Sequence, residues 1–154
     1  MTPSKGWPTD AVEFFEGLEA DNSKTYWQEH KVTYETKVRV PMDALLAELA
    51  QEFGAGKVFR PYRDVRFSKD KSPYKTNIAA TVEHGGYITL SADGYPKDHP
   101  RIGLLKYKGL ITWRSWPPAA WLGTSKAKDR IVTFFHDSRP VVGWLDAHVG
   151  PAEG

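Results

Sequence analysis

A β-hairpin is predicted for the segment Ile78–Leu90, which has the sequence IAATVEHGGYITL. Apolar residues recur at every second position in its first half, and a strand places alternate side chains on opposite faces. Gly85-Gly86 separates this half from a second apolar run at Tyr87–Leu90. Two such runs joined by a glycine pair are typical of a hairpin with a tight turn, so the chain is expected to contain an antiparallel sheet.

Three helices are predicted before the hairpin. The first is expected to begin near Asp10, which has capping-box spacing to Glu13. Ser23 is suited to cap the second helix, and Pro41 is suited to the first turn of the third. Gly54 is expected to end the third helix, because glycine favours helix termination.

Two more helices are predicted after the hairpin, one capped by Thr124 and one opened by Ser138 with Pro140 in its first turn. We therefore expect an α+β fold, in which N-terminal and C-terminal helices pack on a small, mainly antiparallel sheet. The length of 154 residues is that of one ordinary domain, so residues 1–154 are assigned to a single domain.

The composition excludes several classes of protein. The chain has no cysteine, which rules out disulfides and thiolate metal sites. It also lacks a signal-peptide pattern and any apolar run long enough to span a bilayer, so we expect a cytoplasmic protein with no membrane partner. The histidines are scattered, and no metal site is predicted. No nucleophile elbow or phosphate-binding glycine loop is present, so the sequence leaves open whether the protein is an enzyme and identifies no cofactor.

The most unusual stretch is residues 60–75, RPYRDVRFSKDKSPYK, hereafter the basic loop. It holds six Arg and Lys against two Asp, whereas the whole chain carries a net charge of only +2. Locally concentrated cations suit an anion site, and the guanidinium fork can bind phosphate or carboxylate through two parallel hydrogen bonds. The predicted ligand-binding residues are Arg60, Arg63, Asp64, Arg66, Lys69, Asp70, Lys71, Tyr74, Lys75 and, outside the loop, His99.

Two interpretations of the basic loop stay open. A short strand is predicted at 64–67, with Val65 and Phe67 facing the core and Arg66 on the accessible side. In the first interpretation the cations capture a small anionic ligand. In the second, Asp64 and Asp70 form internal ion pairs with the arginines, and the protein is a structural or protein-interaction domain.

His99 and a tryptophan-rich segment are weaker candidates. His99 lies in a loop between Asp98 and Pro100, where it could transfer a proton or fix the loop by hydrogen bonds. Three tryptophans could form a stacking platform or pack under a loop, namely Trp113, Trp116 and Trp121. Together with the basic loop they suggest nucleic-acid binding, but the balanced net charge makes nucleic acid the least favoured partner.

The segment Val58–Thr76 resembles the signature of a family known as domain of unknown function 2461. Phe14-Phe15 in the first helix and the string Tyr95–Pro100 are similar to the same family. The resemblance implies no established activity, cofactor or substrate. It also implies that a middle segment of the family is missing between Gly94 and Tyr95. We therefore expect an exposed sheet edge and self-association through it.

Overall fold

The computed structural model of the chain describes residues 4–92, 116 and 119–149. The Gly94–Tyr95 junction, the loop that carries His99, and Trp113 lie outside these residues.

Helices form most of the N-terminal half. Helix α1 spans Thr9–Ala20 and α2 spans Lys24–Thr33, and a π-helical segment at Tyr34–Arg39 leads directly into α3, Val40–Phe53. Continuous hydrogen bonding through the π-helical segment joins α2 and α3 without a loop.

The predicted helix ends are partly confirmed. Ser23 Oγ accepts a hydrogen bond from the Tyr26 N–H at 3.1 Å, which confirms the cap of α2. Pro41 lies in the first turn of α3, and Gly54 ends that helix with a positive φ of 82°. The predicted cap at Asp10 is wrong, because α1 begins at Thr9 and Asp10 lies in its first turn. A carboxylate there still interacts favourably with the helix dipole.

Three antiparallel strands form the sheet, in the order β1-β2-β3. They are β1 (Gly56–Val58), β2 (Asn77–Val82) and β3 (Tyr87–Ser91). The predicted hairpin is confirmed as β2 and β3, with Ile78 opposite Leu90. Within the described residues, β1 and β3 are the outer strands of the sheet.

The predicted strand at 64–67 is wrong. These residues lie in the long connection between β1 and β2, and the Phe67 side chain is 95% exposed. The third strand is instead Gly56–Val58, which pairs directly with β2. A four-residue alternation cannot show whether a neighbouring strand is available, and among the described residues no strand pairs with residues 64–67.

One face of the sheet packs against the helices. Ile78, Ala80 and Val82 of β2 and Ile88 and Leu90 of β3 are buried in a single apolar core. The helices contribute the largest fully buried side chains, which include Phe15, Leu18, Met42, Leu45, Leu49 and Phe53. This arrangement confirms the predicted α+β fold.

The C-terminal part holds one long helix where two were predicted. Helix α4 runs from Lys126 to Val149 and continues through Pro140. Thr124 Oγ1 accepts from the Lys126 N–H at 3.2 Å, as expected for its cap. An internal proline removes one donor and crowds one turn, but the residues on both sides remain helical here. Among the described residues, none of the helices combines the length and apolarity needed to cross a bilayer.

Phe135 of α4 packs on the turn between β2 and β3. A Cβ atom added to Gly85 would lie 2.6 Å from Phe135 Cε2, and one added to Gly86 would lie 3.2 Å from Cε1. Neither glycine has a positive φ. The glycine pair is therefore needed for the close approach of the ring.

Candidate functional site

The basic loop closes the far end of a hairpin that continues beyond β1 and β2. Tyr62 and Tyr74 form an antiparallel bridge, and the Arg63 N–H donates to the Pro73 carbonyl at 2.9 Å. We call the residues next to this bridge the base of the loop and residues 64–71 its tip. The bridge brings the two ends of the basic run together, so Arg60 and Lys75 share one side of the molecule.

The base is anchored in the core. The Tyr74 ring stacks on Trp27 with a centroid separation of 4.5 Å and an interplanar angle of 9°. The Asn22 side chain donates to the Tyr74 carbonyl at 2.9 Å and accepts from the Tyr74 N–H at 3.1 Å. Tyr74, a predicted ligand-binding residue, is only 6% exposed, and its ring packs in the core.

One ion pair ties the tip to the base. Arg63 Nη1 lies 2.6 Å from Asp70 Oδ2. The other oxygen of Asp70 accepts from the Ser72 hydroxyl at 2.6 Å and from the Ser72 N–H at 2.9 Å. The Ser72 hydroxyl, followed by Arg63, holds the pKa of Asp70 well below its usual range.

A second ion pair lies within the tip. Arg66 donates to both oxygens of Asp64, at 3.0 Å from Nε and 2.8 Å from Nη2. The hydrogen bonds from Arg66 lower the pKa of Asp64. Lys71 Nζ donates to the Val65 carbonyl at 2.7 Å. Two cations of the basic loop, Arg63 and Arg66, therefore form ion pairs within the loop, and a third, Lys71, is bound to a main-chain carbonyl.

The other three cations have donors to spare. The side chains of Arg60, Lys69 and Lys75 make no hydrogen bond or ion pair with any residue in the described part of the chain. Lys69 is exposed in the tip, whereas Lys75 is half-buried at the base. Lys75 Nζ lies 5.8 Å from the Phe59 ring centroid. Burial, followed by the charge of Arg60, lowers the pKa of Lys75.

The outer face of the sheet carries polar residues that were not predicted as site residues. Asn77, Thr89 and Ser91 alternate with core residues, so they point away from the helices. Asn77 Nδ2 donates to Thr89 Oγ1 at 3.2 Å. Ser91 is buried, and its hydroxyl has no hydrogen-bond partner among the described residues. The alternation of polar and apolar residues along both strands is the sequence signal that could have identified this row.

Two of the three predicted platform tryptophans, Trp116 and Trp121, lie next to a cation of the chain itself. The Arg130 guanidinium carbon lies 4.4 Å from the Trp121 ring centroid and 5.7 Å from that of Trp116. Trp116 and Arg130 also border a hollow of about 260 Å³, which is lined by Trp116, Lys126, Asp129, Arg130 and Thr133. Arg130 thus already contacts two of the three rings that were proposed as a stacking platform.

Fold and site together define a small α+β domain that presents a basic hairpin loop beside an antiparallel sheet. A family model described as "Conserved hypothetical protein (DUF2461)" matches residues 10–95 and 89–144, and the chain belongs to this family. The resemblance seen at Val58–Thr76 is thereby confirmed. The two matched segments overlap at residues 89–95, where the Gly94–Tyr95 junction lies. No curated protein and no solved structure was matched.

Proposed function

We propose that this domain binds a small molecule through an anionic group, a phosphate or a carboxylate, held by Arg60 and Lys75 at the base of the basic loop. The observation that carries the proposal is the pair of neighbouring cations without a hydrogen-bonded or ion-paired carboxylate in the described part of the chain. The carboxylates of the basic loop are engaged by Arg63 and Arg66 instead.

Electrostatics favour an anion at this position. Like charges that are close together disfavour each other's charged forms, and burial adds to this cost. Both effects act on the Lys75 ammonium, which burial and Arg60 destabilise. An anion between the two side chains would reverse the repulsion and supply acceptors for their free donors. Binding is therefore expected to raise the pKa of Lys75.

The ion pairs of the tip support this role. Arg63 and Asp70 fix the course of the chain next to the base, so Arg60 and Lys75 are displayed on a loop that is already ordered. A site that is preorganised loses less conformational entropy when its ligand binds.

Protein interaction is the second candidate, and the exposed Phe67 ring favours it. The Arg66 guanidinium carbon lies 5.8 Å from the Phe67 ring centroid. Aromatic and arginine side chains are enriched among the residues that contribute most to protein interfaces. The Phe67 ring lies in the tip of the loop, whereas the proposed anion site lies at the base. Phe67→Ala should therefore leave anion binding unchanged, which separates the protein-interaction function from the anion-binding function.

Titration calorimetry with inorganic phosphate tests the anion site, with sodium chloride of equal ionic strength as the reference. Lys75→Ala or Arg60→Ala should weaken phosphate binding about tenfold or more, because each removes a charged donor. Arg66→Ala is the matched control, since its guanidinium is engaged by Asp64, and it should retain wild-type affinity within about twofold. Absence of phosphate binding to the wild type, or equal losses in all three variants, would overturn the proposal.

A further inference from the structure

The outer face of the sheet extends directly from the proposed anion site. Lys75 precedes Asn77 by two residues, and Asn77 lies opposite Ser91 in the register of β2 and β3. Thr89 is the next residue of β3 on the same face, opposite Ala79. A row of hydroxyl and amide groups therefore begins beside the Lys75 ammonium and continues along the sheet.

Ser91 is the residue in this row whose hydroxyl lacks a hydrogen-bond partner among the described residues. Its side chain is buried, with 4% of the residue exposed, yet its Oγ makes no hydrogen bond among the described residues. Buried hydroxyl groups in folded proteins are nearly always paired, because an unpaired one gives up its bonds to water without compensation. An unpaired hydroxyl beside Asn77 is what a site awaiting a ligand hydroxyl would contain.

The neighbouring groups offer complementary bonding capacity. Asn77 uses its Nδ2 to donate to Thr89 Oγ1, and its Oδ1 makes no hydrogen bond within the described residues. The Thr89 hydroxyl accepts this bond and keeps its own proton for donation. The row thus offers both donors and acceptors, which matches ligand hydroxyl groups, since each of these also donates and accepts.

Two aromatic rings lie beside the row, and one of them, Phe59, has its centroid 5.8 Å from Lys75 Nζ. The Phe59 and Tyr87 ring centroids are 6.1 Å apart; Tyr87 is the first residue of β3, and Phe59 directly follows β1. Ala79 of β2 lies between β1 and β3 in the sheet and is buried, with 5% of the residue exposed. Flat apolar surfaces next to hydrogen-bonding groups suit a ring that carries hydroxyls on its rim.

We infer that the ligand is a phosphate ester of a polyhydroxylated molecule, such as a sugar phosphate. In this arrangement Arg60 and Lys75 hold the phosphate, and Asn77, Thr89 and Ser91 bind the hydroxyls. The inference rests on the proposed anion site and adds the chemical class of the rest of the ligand. Inorganic phosphate and phosphate esters of apolar alcohols lack the hydroxyls that would contact this row, so they should bind more weakly than a sugar phosphate.

The test compares inorganic phosphate with glucose 6-phosphate, ribose 5-phosphate and glycerol 3-phosphate by titration calorimetry. At least one ester should bind the wild type about tenfold or more tightly than inorganic phosphate. Ser91→Ala should remove most of that advantage and leave the affinity for inorganic phosphate unchanged. Its melting temperature without ligand should not fall, because the deleted hydroxyl has no partner to lose. Ser125→Ala, at an exposed serine before α4, is the matched control and should change neither property.

Thr89→Val provides a second variant that keeps the branched shape of the side chain. It should also reduce the difference in affinity between the ester and inorganic phosphate.

The outcomes of these measurements separate this inference from the proposed function. If all three esters bind no more tightly than inorganic phosphate while Lys75→Ala abolishes binding of each, the hydroxyl row is refuted and the anion site stands. If neither phosphate nor any ester binds, both proposals fail. If the Ser91→Ala protein melts at a lower temperature but keeps the preference for the ester, the Ser91 hydroxyl stabilises the fold and does not bind the ligand, which contradicts the inference.

Discussion

The base and the tip of the basic loop both carry Arg and Lys residues but are held by different forces. At the base, Tyr74 is buried against Trp27 and its backbone is paired with the Asn22 side chain. At the tip, Asp64 and Arg66 form an ion pair whose side chains are 46% and 77% exposed to solvent, respectively. Apolar burial is strong and insensitive to salt, whereas exposed ion pairs contribute little to stability. The charges of the tip therefore shape the loop, and the aromatic residues of the base attach it to the protein.

The largest expected effect comes from removing the stacking partner of Tyr74. Trp27 is 5% exposed and contacts the rings of Phe14, Tyr34, Tyr62 and Tyr74. Trp27→Ala should reduce the free energy of unfolding by about 3–5 kcal/mol, as measured by urea denaturation. Trp144→Ala is the control, because that side chain is 56% exposed, and it should change stability by about 0.5 kcal/mol or less. A loss below about 1 kcal/mol for Trp27→Ala would show that the base is not anchored by packing.

A smaller loss is expected from the polar anchor of the base. Asn22→Ala would leave the N–H and the carbonyl of Tyr74 without their partner. Unpaired backbone groups in a buried position cost about 1–3 kcal/mol, so the free energy of unfolding should fall by that amount. Gln28→Ala, at an exposed position of α2, serves as the reference in the same urea series. Equal stability of the two variants would contradict a structural role for the Asn22 bonds.

The smallest effect is expected at the tip, and it depends on pH. The folded pKa of Asp70 is lowered by the Ser72 hydroxyl and then by Arg63, so its contribution to stability is present above the unfolded pKa of about 3.9. That contribution is lost as the pH falls through the folded pKa. The Ser72 amide proton, which bonds to Asp70 Oδ1 at 2.9 Å, should report this step by NMR with a midpoint below about 3.9.

The same titration distinguishes the tip from the base. Through this step the side-chain amide signals of Asn22 should stay at their native positions, because the base holds without the ion pair. Asp70→Asn should abolish the Ser72 step. A midpoint at or above the value of a free aspartate, or simultaneous loss of the Asn22 signals, would mean that tip and base are one cooperative unit.

The elements that were predicted correctly are those determined by local chemistry. The β2–β3 hairpin follows from period-two alternation and a glycine pair, and the Ser23 cap from a hydroxyl three residues before a free N–H. Strand β1 was missed, because three residues are too few to show a period. The pairing of β1 with β2 depends on the tertiary fold, which a short stretch of sequence does not reveal. The same pairing places residues 64–67 in the tip of a loop.

For the candidate site, too, some features could be predicted from local sequence and others depend on the tertiary fold. Its location was predictable from the concentration of charge in the basic loop, but the pairing of individual cations was not. Arg63 and Asp70 are seven residues apart and meet only because the Tyr62–Tyr74 bridge closes the loop. The sequence alone gives Arg60 and Arg63 the same weight, whereas the structure pairs Arg63 and leaves Arg60 with free donors.

The contact between the hairpin turn and α4 also limits how sequences of this family can change. Residue 85 can carry a side chain only if the residue at 135 becomes smaller, since an added methyl group would overlap the Phe135 ring. Substitutions at these two positions, fifty residues apart, should therefore be inherited as a pair. Across relatives, a large aromatic residue at 135 should coincide with glycine at 85, and alanine or serine at 85 with a smaller aliphatic residue at 135.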